Sequence, residues 1–191
     1  IAAVDTSASA QSENVDGDGR KLVWTNDTTG YLFYTDGSTF VSYSKTTNAG
    51  MNWGAAVVLT ARATENFSIW YDQWTPGNTG GLIHVAFMEN AGDDIYYENV
   101  NTASADAQKG EVLVVSRTTV HTALTDSVSI TRASDNDLYI AYSSSTAATT
   151  SGVRYSTDTG TNWADTAAEG LDDTSGDAVM LLPRPDGDIM L

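Results

Sequence analysis

Acidic side chains recur in short polar stretches of this chain, where they could serve sugar chemistry. Glu65, Glu89, Asp93 and Asp94 lie in such stretches. Two carboxylates flanking a glycosidic bond suffice for its hydrolysis, one donating a proton while the other acts as base or nucleophile. The run "IWYDQW" at 69–74 adds Trp70, Tyr71 and Trp74, which could stack on sugar rings, although an alternating strand would turn them into core packing instead. "DGDG" at 16–19 spaces aspartate oxygens as calcium would like, but Arg20 follows directly and there is no downstream bidentate Glu, so a plain turn is expected. His84 and His121 stand alone, which argues against zinc, and no resident metal or cofactor is expected. Neither a phosphate loop nor a nucleophile elbow occurs.

Composition narrows the partners. The 25 acidic and 9 basic residues among 191 give a formal charge of -16 and a pI near 4.1. Such a surface repels phosphate backbones and anionic lipid, so nucleic acid and membrane are poor partners. No window approaches the roughly 20 apolar residues that span a bilayer. Ile1-Ala2-Ala3-Val4 lacks an initiator Met and is too short for a signal core, so an upstream segment is expected to have been removed. Few Lys, many Asp, Ser and Thr and no Cys suit an extracellular or cell-surface protein.

The elements that position these residues come from a repeat. Apolar-alternating runs "YLFYTD", "GLIHVAFMEN", "DLYIAYSSS" and "DIML" align on Leu32, Leu82, Leu138 and Ile189, at intervals of 50, 56 and 51 residues. Another strand-like run precedes each of them, joined by turn formers such as "DTTG", "TPGNTGG", "DND" and "DGD". Third runs follow ("STFVSYS", "DDIYYENV", "GVRYS"), and fourth runs are clearest in "WGAAVVL" and "GEVLVVS". Four short strands per period of about 50 residues, without helical periodicity, predict an all-β chain built as a β-propeller of four-stranded antiparallel blades. The competing expectation is a β-sandwich, which has no reason to repeat one turn sequence every second period.

That turn reads Thr46, Asn48, Gly50, Asn52, Trp53 and again Ser156, Asp158, Gly160, Asn162, Trp163. It resembles the Asp-box, or BNR repeat, of sialidase-like propellers, where it closes the hairpin between the third and fourth strands of a blade. The resemblance implies a structural role for Thr46, Asn48, Gly50, Trp53, Ser156, Asp158, Gly160 and Trp163. The Asx side chain accepts turn N–H groups, Gly takes a conformation that a Cβ opposes, and Trp packs beneath the hairpin. The second period departs from it: "ENVNTASADAQKG" has neither the Gly nor the Trp in register.

The expected organisation is an N-terminal segment, 1–19, holding at most one closing strand, then a partial propeller over 20–191. Its blades fall at about 20–60, 66–116 and 126–168, with the start of a fourth at 176–191, about three and a half in all. A partial ring leaves apolar faces and strand edges open. The expectation is continuation beyond Leu191, or self-association of copies that complete the ring.

Propeller topology puts the hairpins between second and third strands, and the links between blades, on one face, which holds the ligand in sialidase-like propellers. Asp36, Arg62, Glu65, Asn66, Glu89, Asn90, Asp93, Asp94, Arg117, His121, Asp126, Asp172, Asp173 and Asp177 are expected there. Asp36, Glu89, Asp93, Asp94 and His121 are the candidates for ligand binding, and Arg62, Glu65 and Arg117 those for catalysis. A retaining sialidase needs clustered arginines, a Tyr activated by Glu, and an Asp for proton transfer. The six arginines, at 20, 62, 117, 132, 154 and 184, do not reproduce that set, and the family's Arg-Ile-Pro motif is absent. The expectation is an extracellular binding or scaffolding module for a glycan or protein ligand. The alternative is an exo-acting glycoside hydrolase whose catalytic set lies partly outside this chain.

Overall fold

Alternation of apolar and polar residues and well-placed turn formers yield an all-β chain. The computed structural model describes residues 20–90, 94–116, 127–143, 152–165, 179–186 and 188–190; among them the only helical element is one 3-10 turn, Asp72–Trp74. Sheet 1 contains β1 (Leu22–Trp24), β2 (Gly30–Thr35), β3 (Val41–Thr46) and β4 (Val57–Val58), antiparallel and in sequence order. Its first turn is fixed by Asn26, whose Oδ1 accepts the N–H groups of Thr28 at 3.0 Å and Thr29 at 2.8 Å.

Sheet 2 contains β5 (Thr64–Tyr71), β6 (Leu82–Glu89) and β7 (Ile95–Asn101), whose outer edge carries two short strands, β8 (Ala107–Gln108) and β9 (Val112–Val115). The single fourth strand expected at 110–116 is thus split. Gly110, at φ +94°, leaves strand geometry, and buried Glu98 holds the break by accepting Gly110 N–H at 2.9 Å and Asn99 N–H at 2.8 Å. Sheet 3 is β10 (Val128–Arg132), β11 (Leu138–Tyr142), β12 (Gly152–Ser156) and β13 (Ala164–Asp165), again in sequence order. Sheet 4 shows the pair β14 (Leu182–Pro183) and β15 (Ile189–Met190).

The sheets stack, each burying alternate residues against one neighbour and the intervening ones against the next. Val23, Tyr31, Phe33, Val41 and Tyr43 pack with Phe67, Ile69, Ile83, Val85 and Phe87 between sheets 1 and 2. Trp70, Ala86, Met88, Ile95 and Tyr97 pack with Val128, Ile130, Leu138 and Ile140 between sheets 2 and 3. Ala141 meets Val179 and Leu181 between sheets 3 and 4. This two-sided burial explains the nearly continuous apolar runs of β5 and β6, and truncating one such buried aliphatic to Ala costs about 2–5 kcal/mol.

Serines on the first strands join the sheets directly. Ser68 Oγ accepts Ile130 N–H at 3.2 Å, Ser127 Oγ accepts Val179 N–H at 2.7 Å, and Ser129 Oγ accepts Leu181 N–H at 3.0 Å. The first strand of sheet 2 therefore lies beside the first strand of sheet 3, which in turn lies beside the segment leading into sheet 4.

Candidate functional site

The two related turns form with the same bonding pattern. Thr46 Oγ1 donates to Asn48 Oδ1 at 3.0 Å and accepts Gly50 N–H at 3.0 Å, while Asn48 Oδ1 accepts Asn52 N–H at 2.9 Å. Ser156 Oγ donates to Asp158 Oδ1 at 2.8 Å and accepts Gly160 N–H at 2.9 Å; Asp158 Oδ1 also accepts N–H groups from Thr161 and Asn162. The bond from Asn162 N–H leads the interactions that hold the Asp158 carboxyl well below the usual carboxylate range. Gly50 (φ +80°) and Gly160 (φ +77°) adopt the left-handed conformation, each following a residue that does so too, Ala49 and Thr159. The tryptophans diverge: Trp53 leans on Trp24 of its own sheet, at 6.5 Å between ring centroids, whereas Trp163 reaches Tyr97 of sheet 2 at 5.3 Å.

The turn of sheet 2 that lacks this pattern does other work. Ala105 and Asp106 are left-handed there (φ 52° and 60°), and Asp106 reaches sheet 1, where it accepts from Lys45 Nζ at 2.7 Å and Tyr31 Oη at 2.5 Å. Burial, followed by the bond to Asp106, pushes the Tyr31 hydroxyl up to about 12.

The opposite end of the sheets gathers several sequence candidates. The Thr64 N–H to Thr39 C=O bond (2.9 Å) and the Asn90 N–H to Ala63 C=O bond (2.8 Å) tie three segments there: the β2–β3 turn, the 60–64 link and the β6–β7 turn. Arg62 is the hub. Its NH1 donates to Glu89 at 3.0 Å, its Nε donates to Glu111 at 2.7 Å, and its guanidinium lies 4.0 Å from the Tyr96 ring centroid. Thr60 Oγ1 donates to the other Glu111 oxygen at 2.6 Å, and Tyr96 Oη donates to Asp94 at 3.4 Å. Arg62, Glu89 and Asp94 are thus brought together, with Glu111, Tyr96 and Thr60 as members that sequence spacing did not indicate. The cluster is partly open: the Arg62 side chain is 35% exposed and that of Glu111 29%.

Asp36 lies at this end but spends its carboxylate on its own turn, accepting from Ser38 N–H at 2.8 Å and Phe40 N–H at 3.1 Å. Glu65 belongs to β5, and Asn66 is buried in the same strand beside a register shift. Asp93, Arg117, His121, Asp126, Asp172, Asp173 and Asp177, like "DGDG" at 16–19, lie outside the described residues.

A second polar group is sealed between sheets 2 and 3. His84 on β6 bonds Asp72 Oδ1 through Nε2 at 2.8 Å and Tyr97 Oη through Nδ1 at 2.7 Å, and Asn99 Nδ2 donates to the same Tyr97 oxygen at 3.0 Å. Asp72 further accepts Leu82 N–H at 2.9 Å and a short bond from Arg132 of sheet 3. Burial lowers the His84 pKa, so the imidazole is neutral: Nε2–H donates to Asp72 and Nδ1 accepts from Tyr97. Burial alone would raise the Asp72 carboxyl, but His84, Leu82 and Arg132 outweigh it and leave Asp72 below its ordinary value. With His84 and Asp72 almost wholly shut off from water, this bonded group ties sheets 2 and 3 together as a strut.

The remaining described arginines are dispersed. Arg20 covers Trp70 and Trp74 at 5.3 and 5.0 Å, Arg154 pairs with Asp165, and Arg184 pairs with Asp186 at 2.8 Å. Trp70 and Tyr71 are core residues, 2% and 3% exposed. Among the described residues no group of three or more His, Asp or Glu could hold a metal ion.

No family model matches the chain, and no curated protein matches it. Among solved structures it is similar to a triple arginine-to-alanine variant of AofleA from Arthrobotrys oligospora, with a TM-score of 0.52 and 14% identity, over 91% of this chain and 47% of that one. The chain spans about half the length of that structure, and at this identity the likeness bears on the fold alone.

Proposed function

We propose that the four-stranded sheets are blades of an Asp-box β-propeller, and that the chain serves as an extracellular binding or scaffolding module for a neutral glycan or a protein ligand. The side-by-side first strands and the two matched turns support the propeller reading. The observation that carries the binding role is the commitment of Arg62: both donor edges go to Glu89 and Glu111 and its face goes to Tyr96, leaving it no free fork for a substrate carboxylate. Carboxylates around a neutralised guanidinium instead offer acceptors to hydroxyl groups or to backbone N–H groups.

Calorimetric titration with neutral and sialylated oligosaccharides, beside Arg62→Ala and Glu111→Gln variants, tests this reading. Saturable binding of a neutral glycan, weakened by either variant, is expected. Turnover of a sialoside would replace the reading with the hydrolase one, and silence toward every glycan would confine it to protein ligands.

A further inference from the structure

The turn between β1 and β2 reads Asn26-Asp27-Thr28, the spacing at which an Asn carboxamide accepts an N-linked glycan: Asn, any residue but Pro, then Ser or Thr. All three residues are exposed, on a turn that the Thr25 N–H closes by donating to the Thr29 C=O at 3.0 Å. Thr28 Oγ1 donates to Asn26 Oδ1 at 3.1 Å, beside the Thr28 and Thr29 N–H groups that the same oxygen accepts. The carboxamide is thus held through its oxygen, and Nδ2 has no partner among the described residues. The one other such triplet in the chain, Asn66-Phe67-Ser68, lies inside β5, where its members are 8%, 3% and 1% exposed and a glycan has no room.

Beside Asn26 stands an aromatic platform. Trp24, two residues earlier, is 42% exposed. A Cβ on Gly30 would meet three atoms of its six-membered ring at 2.8, 2.9 and 3.1 Å, so the indole lies face-on over Gly30 and turns its other face away from that backbone. Trp24, Thr25, Asn26, Asp27 and Ala49 line one open pocket of about 430 Å³, a volume that suits a small ligand. The apolar C–H face of a sugar ring fits against an indole, which offers a large contact area at little conformational cost. The Asp27 carboxylate, which no described residue engages, offers an acceptor to the sugar hydroxyls.

We propose that Asn26 is an N-glycan acceptor and that the first sugar of its glycan rests on Trp24 in this pocket. In the transfer, Asn26 Nδ2 forms a bond to the anomeric carbon of an oligosaccharide carried on a polyprenyl phosphate lipid. The bond from that carbon to the phosphate oxygen breaks, the lipid phosphate leaves with the electron pair, and Nδ2 gives up one proton to a base of the membrane-bound transferase. The proposal rests on the extracellular reading above, because such a transfer takes place outside the cytosol. The attached glycan covers Trp24, the largest of the exposed apolar side chains among the described residues, and makes that corner of sheet 1 hydrophilic.

Peptide mass spectrometry of the native protein, recovered separately from outside its cells and from their cytosol, reads the outcome. Exported protein is expected to carry saccharide mass on the Asn26 peptide and none on the Asn66 peptide. Thr28→Ala should remove that mass and Thr28→Ser keep it, with circular dichroism as the check on folding. The glycosylated form should melt at a higher temperature than the same protein after enzymatic deglycosylation, by a margin that shrinks in Trp24→Leu. Exported protein bare at Asn26 overturns the acceptor and leaves the extracellular reading standing, whereas protein confined to the cytosol overturns both. An occupied Asn26 with the same margin in Trp24→Leu keeps the acceptor and overturns the stacking on Trp24.

Discussion

His84 Nε2 stands 2.8 Å from Asp72 Oδ1, both side chains almost wholly shut off from water, although Asp72 follows β5 and His84 lies within β6. The pair gains a third element through Arg132, so one carboxylate holds two strands of sheet 2 and the neighbouring sheet together.

This strut should make the fold acid-sensitive in a defined window. The unfolded His84 binds a proton below about pH 6.5 while the folded one resists it, so the unfolded state binds more protons and stability is lost as the pH drops below about 6.5, by up to about 1.4 kcal/mol per unit. A second loss sets in below about pH 4, where the unfolded carboxyl of Asp72 protonates before the folded one. Denaturant unfolding between about pH 7 and about pH 5 should show the first slope, and His84→Gln should flatten it. An unchanged slope in the variant would take His84 out of the effect.

The two turn glycines should respond differently to alanine. At Gly50 a Cβ meets nothing nearer than 3.7 Å, so Gly50→Ala carries the left-handed backbone cost alone, about 1–2 kcal/mol. At Gly160 the Cβ would stand 2.2 Å from the Tyr97 ring, which is pinned between His84 and Asn99, so Gly160→Ala should cost more than about 3 kcal/mol. Equal shifts in thermal midpoint would contradict the packing of the second turn on sheet 2.

Ser129→Ala should leave the Leu181 N–H buried without its acceptor, at about 1–3 kcal/mol. Amide exchange at Leu181 should quicken accordingly, while amides of sheet 1 keep their rates. Uniform acceleration would mean that the serine supports the whole stack rather than one junction.

Between sheets 1 and 2, Lys45 and Asp106 should couple by about 0.5–1 kcal/mol in a double-mutant cycle, and less in high salt, because Lys45 remains a third exposed. Zero coupling in low salt would reduce the contact to a packing effect of Tyr31.

What could be read from residue order was whatever is local or periodic. Alternation in "LIHVAF" and Asx chemistry in "STDTGTNW" act within a few residues, so strands and turns were legible, whereas the contact of Arg62 with Glu89 was not. Asp72, His84 and Arg132 meet only after three strands have been laid side by side, and His84 in isolation gives no sign of partners. Glu111 reaches Arg62 across 49 positions because a broken fourth strand brings it there, and the positive φ of Gly110 that breaks the strand is invisible to a pattern of apolar residues. The serines were in plain view in "FSIWY" and "VSITR", the same Ser-Ile pair in the first strands of sheets 2 and 3, a signal recognisable once these two periods are aligned on their first strands.

Those serines have a bearing on lineage. Because a hydroxyl on one first strand meets a backbone amide on the next, the joint makes almost no demand on which side chain sits at the receiving position: Ile130, Val179 and Leu181 all serve. A gene segment holding the period of sheet 3, duplicated whole, would meet such a joint on either side, so recombination there could lengthen the protein without inventing a new fit.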